Sequence, residues 1–466
     1  MPDNPPSLTR ILVITHDRLG QKMAGPAIRA LEMARVLHTY AEVSLVSVNA
    51  ANLDSESFPV KFVTEDELRD EVASAEVVIF QGFTLQSYPW IAETDVFIVA
   101  DLYDPMNLEI LEQNIELTDS EQAHVNRVVT ESLTKQLERA DFMICASDKQ
   151  RDFWLGHLAS LCRVDHLNYR RDPSLRKLID VVPFGIQNED PITTAGKIKG
   201  VVPGISKSDK VIIWGGGIYN WFDPLTLIRA VNRLSESHKD IRLFFLGAQH
   251  PNPDVPAMKV ATDAHNLAKE LNLLDSHVFF HREWVPYEER ADYLLDADLG
   301  VSTHYDHVET AFSFRTRILD YFWAGLPTVC TQGDSLSALI DAHSLGLTVP
   351  PENEELLAKA LQEALYGEVH AAFRQNIQEY RGSLRWQEVL RPLIEYCQSP
   401  DHAADYVEPV LSVRERERQN LLEHVQVLAA RSDSLRAALD DPTRTLKRVA
   451  RRAKRMLTIS KGKTQN

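Results

Sequence analysis

The chain has 466 residues, with 50 Lys+Arg against 67 Asp+Glu, a formal charge of −17 at pH 7. That length exceeds what one hydrophobic core fills, so two domains plus an appendage are expected. The acidic balance excludes a general nucleic-acid binder. Charge is unevenly spread: residues 442–466 hold nine Lys/Arg and no Asp/Glu, so the rest of the chain is more acidic still. The start, MPDNPPSLTR, lacks a basic n-region and a long apolar h-region. No run approaches the ~18 apolar residues of a membrane span, so neither signal peptide nor transmembrane helix is expected and the compartment is read as cytoplasmic. Cys145, Cys162, Cys330 and Cys397 stand far apart without a CxxC pair, which predicts free, mostly buried thiols.

ILVIT (11–15), EVSLVSV (42–48), EVVIF (76–80), VFIVA (96–100) and FMICA (142–146) are short, β-branched apolar runs that predict buried parallel strands. Between the first two, PAIRALEMARVL has helical spacing, with Pro26 placed to start the helix. After DVVPFGI (180–186), the stretch NEDPITTAGKIKGVVPG predicts a linker. The pattern then restarts with KVIIW (210–214), a helix near Pro224–Leu234, IRLFFL (241–246), HVFF (277–280), DLGVS (298–302) and PTVC (327–330). Two doubly wound α/β sheets in tandem follow, with ligands expected in a cleft at the carboxyl ends of the strands.

FSFRTRILDYFWAGLPTV (312–329) predicts a helix that is apolar nearly all round, yet it opens with Arg315 and Arg317 and holds Asp320. One reading caps the helix with Ser313 and makes Phe314, Arg315 and Thr316 its first turn, a phosphate site with two guanidiniums. Asp320, a turn beyond Thr316, would then accept hydrogen bonds from a ribose diol. The other reading is a plain Arg317–Asp320 ion pair at i,i+3 on a partly exposed edge. KVIIWGGGIYNW places three glycines directly after a strand, either a tight turn or a close approach to a ligand. Gly215-x-Gly217 lacks the third glycine of a dinucleotide fingerprint, which argues against a nicotinamide dehydrogenase.

From about residue 10 to 398 the chain resembles a retaining glycosyltransferase of the GT-B fold, of the large family 4 group. The resemblance rests on the order and spacing of GQKMAGPAIRALEMARVL, VVPFGI, GGGIYNWFDPLTLIRA, FFLG, HREWVPYEERADYLLDADLGVS, DYFWAGLPTV and RWQEVLRPLIEYC. It implies tandem Rossmann-like domains: residues 1–190 on the acceptor side, 191–385 binding a nucleotide-sugar, and 386–400 crossing back to the first domain. It also implies a nucleotide-sugar donor, a saccharide or lipid-linked acceptor, no metal cofactor, and a role in cell-surface polysaccharide, lipopolysaccharide or glycolipid assembly. By resemblance Asp320 takes the ribose position, shortened from the usual Glu. Gly25, Gly216, Gly217 and Gly247 approach the donor, and Arg282 and Val285 sit in the base-recognition loop.

Three departures stand out. The family's second Glu falls at Phe312, with Glu309 and Thr310 nearby, and its basic pair falls at Gly217 and Phe222. Diphosphate neutralisation then passes to Arg315 and Arg317, or to Arg282. The family's His after the fourth strand is not evident; Gln81-Gly82 stands there. On the first domain, Asp101 and Asp104 follow a strand, and His16 and Asp17 end another, so all four are candidate catalytic or acceptor-contact groups. Leaving-group stabilisation, with the departing phosphate able to take the acceptor's proton, is the expected chemistry. HREW and THYDHVE give no metal-ligand pattern. A nucleotide-sugar hydrolase or epimerase and a non-catalytic GT-B scaffold are the alternatives.

Residues 401–441 predict a helical segment in which Leu421, Val425, Leu428, Ser432, Leu435 and Leu439 have heptad-like spacing, either a self-associating coiled coil or a helix packed on the body. In 442–466, Leu446, Val449, Ala450, Ala453 and Leu457 share one helical face among basic residues. Such a tail either lies on an anionic bilayer or is a solvated charge run.

Overall fold

The computed structural model describes residues 9–53, 56–247, 258–281, 283–406 and, alone beyond them, Val425. The heptad segment (Val425 apart), the basic tail and Arg282 lie outside the described residues.

The first domain is one parallel sheet of β1 (Arg10–Thr15), β2 (Glu42–Ser47), β3 (Val60–Phe62), β4 (Val77–Gln81), β5 (Phe97–Asp101), β6 (Phe142–Cys145) and β7 (Ile179–Val181), in the spatial order 3-2-1-4-5-6-7. The second is a parallel sheet of β8 (Lys210–Gly215), β9 (Ile241–Leu246), β10 (Val278–His281), β11 (Leu299–Ser302), β12 (Thr328–Thr331) and β13 (Gly346–Val349), in the order 10-9-8-11-12-13. All ten predicted strands form, because β-branched and aromatic runs covered by helices on both faces can satisfy themselves only inside a sheet. Those absent from the sequence reading are β3, β7 and β13, short strands at sheet edges. Chain order reverses between β1 and β4 and between β8 and β11, so each sheet has a switch point where its crossover helices leave a crevice.

Tyr321 fixes the second crevice. Its hydroxyl accepts from the N–H of Gly215 at 2.8 Å and donates to the carbonyl of Val301 at 2.9 Å, bolting its helix to the ends of β8 and β11. The ring lies so close to β11 that a Cβ on Gly300 would sit 2.4 Å from it. Only glycine fits there.

The two domains meet through side chains as well as chain. Gln150 donates from Nε2 to the carbonyls of Tyr103 and Phe312, both at 2.8 Å, and Trp284 donates from Nε1 to the carbonyl of Met23 at 3.0 Å. The Tyr287 hydroxyl reaches Glu32 at 3.2 Å. The crossing segment forms helix Arg391–Gln398, where Tyr396 stacks on Phe142 at 4.7 Å. It continues past residue 400: Arg163 grips Asp405 with two 2.8 Å bonds, and the compact unit closes at Tyr406. Residues 401–406 therefore belong to the first body and are not helical, a correction to the expected boundary. Cys145, Cys330 and Cys397 are buried free thiols, as expected; Cys162 is exposed. No helix among the described residues is long and apolar enough to cross a membrane.

Candidate active site

A cavity of about 630 Å³ opens between the carboxyl ends of the two sheets, within the range of small-molecule sites. Its two walls differ in charge. Arg290, Arg315 and Arg317 all come from the second domain, whereas the first contributes Asp17, Asp104 and Glu109 and no Lys or Arg among the described lining.

The basic wall is built differently from the sequence reading. Ser313 does not cap the helix; its hydroxyl donates to the carbonyl of Thr310 at 3.1 Å, ending a preceding short helix, Val308–Phe312. Phe314 and Arg315 have no regular secondary structure, and the next helix begins only at Arg317, with Thr316 at its N-cap position. The arginines are held by side-chain chemistry instead. Arg317 donates from Nη2 to the carbonyl of Gly217 at 2.8 Å and lies over the rings of Phe222 and Trp214 at 4.0 and 4.4 Å. Arg315 pairs with Glu309 at 2.6 Å and lies 4.8 Å from Phe222. Phe222, where the resemblance would place a basic residue, is thus the seat for both guanidiniums. Burial, reinforced by the charge of Arg315, pushes the Arg317 guanidinium down to about 10. Nε of Arg315 and Nη1 of Arg317 are buried with no hydrogen-bond partner.

Asp320 pairs with Arg290 at 3.1 Å, not with Arg317. Arg290 is held by the carbonyl of Tyr287 at 2.7 Å and stacks over the rings of Tyr287 and Trp323 at 3.7 and 4.2 Å. Gly25, Gly216, Gly217, Gly247, Val285, Phe314, Thr316 and Asp320 all line the cavity. Gly216 has φ +88° and open space where a Cβ would stand, so its backbone faces the cavity bare.

On the acidic wall, Asp104 and Glu109 both line the cavity. Burial is the main force raising Asp104, to about 7; Glu309 and Asp101 push it up further, while Glu109 and the charge of Arg315 pull it down. Burial likewise drives Glu109 well above the usual carboxylate range.

Two expected site residues lie elsewhere. Asp101 is sealed under the wall in a bidentate pair with Arg29, at 2.6 and 2.9 Å, with neither side chain exposed. Arg29 also donates to the carbonyl of Val182 at 2.8 Å. The position ends a strand, but its register points the carboxylate into the domain. His16 is not among the lining residues either; its ring lies 6.2 Å from Tyr88, its Nε2 is buried without a partner, and burial lowers its pKa. The adjacent Asp17 lines the cavity instead.

Glu109, Arg290, Tyr219 and Trp221 are lining residues that the sequence reading missed. A signal existed for Glu109: it lies five positions after Asp104 in DPMNLE, on the first turn of helix Met106–Gln113. Arg290 sits in the quoted VPYEERADYLL with nothing local to set it apart from its charged neighbours. Phe312 faces away from the cavity, its ring 5.1 Å from Phe153 of the first domain. Glu309, buried in the lining, is the carboxylate actually present at that end. No group of three or more His, Cys, Asp or Glu side chains placed to hold a metal occurs among the described residues.

Residues 209–366 match the family model described as glycosyl transferases group 1. No curated protein sequence matches the chain. Among solved structures it is similar to WaaG, a glycosyltransferase involved in lipopolysaccharide biosynthesis, at TM-score 0.58 and 16% identity over 84% of this chain and 100% of that one. Anabaena HepE in complex with UDP-glucose gives TM-score 0.58 and 14% identity over 84% and 99%. The sucrose-phosphate synthase of Thermosynechococcus elongatus gives 0.54 and 15% over 83% and 98%. The fold is GT-B. In GT-B terms the cavity is the inter-domain cleft, and both switch points open onto it.

Proposed function

We propose that the protein is a retaining glycosyltransferase of family 4 type, moving a sugar from a nucleoside-diphosphate donor to a saccharide or lipid-linked acceptor. The observation that carries this reading is the pair of buried, unpartnered guanidinium N–H groups on Arg315 and Arg317 in the cleft wall. An unsatisfied buried donor costs about 1–3 kcal/mol, and an anion such as a diphosphate would recover it. Both arginines are preorganised by Phe222, Gly217 and Glu309, so they meet developing negative charge without reorganising.

The nucleotide lies along the second domain, with its ribose diol on Asp320 and its diphosphate between the bare Gly216–Gly217 backbone and the two arginines. The acceptor hydroxyl enters along the first domain and attacks the face the diphosphate leaves, which gives retention. The HepE complex with UDP-glucose supports a uridine donor, and the likeness to WaaG supports a role in cell-surface glycan assembly. No metal cofactor enters this scheme. Anionic bilayer contact through residues 442–466 and self-association through 421–439 belong to the same reading; deleting 442–466 should abolish binding to anionic liposomes.

A thermal-shift panel of uridine, guanosine and adenosine diphosphates and their sugars tests the donor site, because a ligand bound to the native state raises its melting temperature. One base should stabilise the wild type and fail to stabilise Asp320→Ala. Absence of a shift for every nucleotide, or equal shifts in both proteins, would refute the placement.

A further inference from the structure

The arginines of the cleft stand on two different footings. The described partners of Arg315 and Arg317 (Glu309, Phe222, Trp214 and the carbonyl of Gly217) all belong to the second domain. Arg290, which restrains Asp320, is seated on Tyr287 through that residue's carbonyl at 2.7 Å and its ring at 3.7 Å. Tyr287 in turn is tied to the first domain by its other two polar atoms. Its N–H donates to the carbonyl of Gln21 at 2.9 Å, and its hydroxyl to Oε1 of Glu32 at 3.2 Å. Glu32 lies on helix Gly25–Leu37, only 5% exposed, and is held by Arg35 at 2.8 Å, which Glu56 holds at 2.6 Å. A line of contacts therefore runs Asp320–Arg290–Tyr287–Glu32–Arg35–Glu56 across the domain boundary. Tyr287 and Arg290 are buried, where a hydrogen bond constrains more than it does in water. The Trp284 bond to the carbonyl of Met23, at 3.0 Å, adds a second tie from the same segment.

We propose, resting on the glycosyltransferase reading, that Glu32 and Tyr287 are positioning residues for the nucleotide ribose, so that the first domain completes the donor site of the second. The Glu32–Tyr287 bond fixes the ring on which the Arg290 guanidinium lies. Arg290 then holds Oδ1 of Asp320 and sets the angle at which that carboxylate meets the diol. Without the hydroxyl, Arg290 keeps its charge and loses its fixed seat, and ordering it on binding costs affinity. The diphosphate grip stays intact, because its arginines do not lean on this line of contacts. Linkage works in both directions: a nucleotide bound more tightly when the tie is made also favours the tie. Donor binding thus draws the acceptor wall into register.

Isothermal titration of the full-length protein tests this with whichever of UDP, GDP and ADP stabilises the wild type, and with its 2′-deoxy form. Tyr287→Phe keeps the ring and removes only the hydroxyl. It should weaken the ribonucleotide about three- to tenfold and the deoxynucleotide less than twofold, whereas a merely structural loss would weaken both alike. Glu32→Ala should reproduce that pattern. Glu32→Gln, whose amide oxygen still accepts from the hydroxyl, should restore most of the affinity. Adding Tyr287→Phe to Asp320→Asn should cost nothing further, because both act through one carboxylate. Water can replace the acceptor, so hydrolysis of the matching nucleoside-diphosphate glucose needs no identified acceptor; there the loss should appear in KM rather than kcat. The proposal is overturned if Tyr287→Phe binds the ribonucleotide within twofold of wild type, weakens both nucleotides equally, lowers kcat at unchanged KM, or adds its full effect to that of Asp320→Asn. Failure of the broader reading would look different: no nucleoside diphosphate would shift the melting temperature of the wild type.

Discussion

The guanidinium of Arg317 and the carbonyl of Gly217 are 2.8 Å apart, although 100 positions separate them in sequence. The glycine turn after β8 and the basic segment before the Tyr321 helix are therefore one structural unit. A charge that the resemblance would place on the turn itself is delivered from the neighbouring crossover and laid across Phe222.

This arrangement makes the shape of the cation matter as much as its sign. Lysine at 317 would keep the charge but lose the planar stack on Phe222 and Trp214 and the fixed fork. Arg317→Lys should weaken nucleoside-diphosphate binding about tenfold, about 1.4 kcal/mol, and Arg317→Met more. Isothermal titration with the nucleotide found in the thermal-shift panel measures both. Equal affinity in Arg317→Lys and wild type would show that the stack is irrelevant to binding.

Asp320 and Arg290 form a separate recognition pair. The Asp320 side chain is 43% exposed, so its ion pair contributes little to the fold. Asp320→Asn should leave the melting temperature of the free protein within a degree or two while weakening ribonucleotide binding. The same substitution should leave affinity for the matching 2′-deoxynucleotide nearly unchanged, because one hydroxyl of the diol is already missing there. Comparison of the two titrations separates ribose recognition from general charge loss.

The sheets were legible because period and composition decide a doubly wound core: ILVIT or IRLFFL has nowhere else to go. The second-domain wall was legible too, since glycines after a strand and arginines opening an apolar helix violate local expectation. What stayed hidden was direction. Asp101 and Asp104 stand three residues apart at the end of one strand, yet Asp101 turns inward to Arg29 and Asp104 outward to the cleft, a difference set by pleat and loop geometry. Arg290 was invisible for another reason: its partners, Asp320 and the Tyr287 and Trp323 rings, converge only after the second sheet has closed.

Phe312 shows the same limit. A carboxylate would stand there by resemblance, but the position now packs on Phe153 while its carbonyl accepts from Gln150. Phe312→Glu should therefore not improve donor use. It should remove an aromatic contact between the domains and place a charge against apolar surface, costing about 1–3 kcal/mol. A lower melting temperature with unchanged or reduced hydrolysis is the expected result; a gain in hydrolysis would return Phe312 to the sugar site.

Acid should loosen the end of the compact unit first. Asp141 is sealed under residues 401–406; burial pushes its pKa up, but hydrogen bonds from His402 at 2.9 Å and the Ile98 N–H at 2.8 Å, with the charge of Arg139, hold it below the usual carboxylate value. A carboxylate depressed in the native state stabilises it fully above its unfolded value near 4, and loses that contribution as pH falls through the native one. Asp141→Asn should thus melt lower than wild type at pH 7, with the gap narrowing toward pH 3.

Asp101 separates structure from catalysis most cleanly. Its pair with Arg29 is wholly buried, so Asp101→Ala leaves an uncompensated guanidinium in the core and should cost about 3–5 kcal/mol. A catalytic carboxylate cannot be replaced by an apolar residue, but a buried ion pair often can, because removing both charges also removes their desolvation penalty. Arg29→Met with Asp101→Leu should therefore recover most of the lost stability, keep the nucleotide-induced melting shift and retain donor hydrolysis. A double variant that folds and binds nucleotide but hydrolyses no donor would place Asp101 back in the reaction.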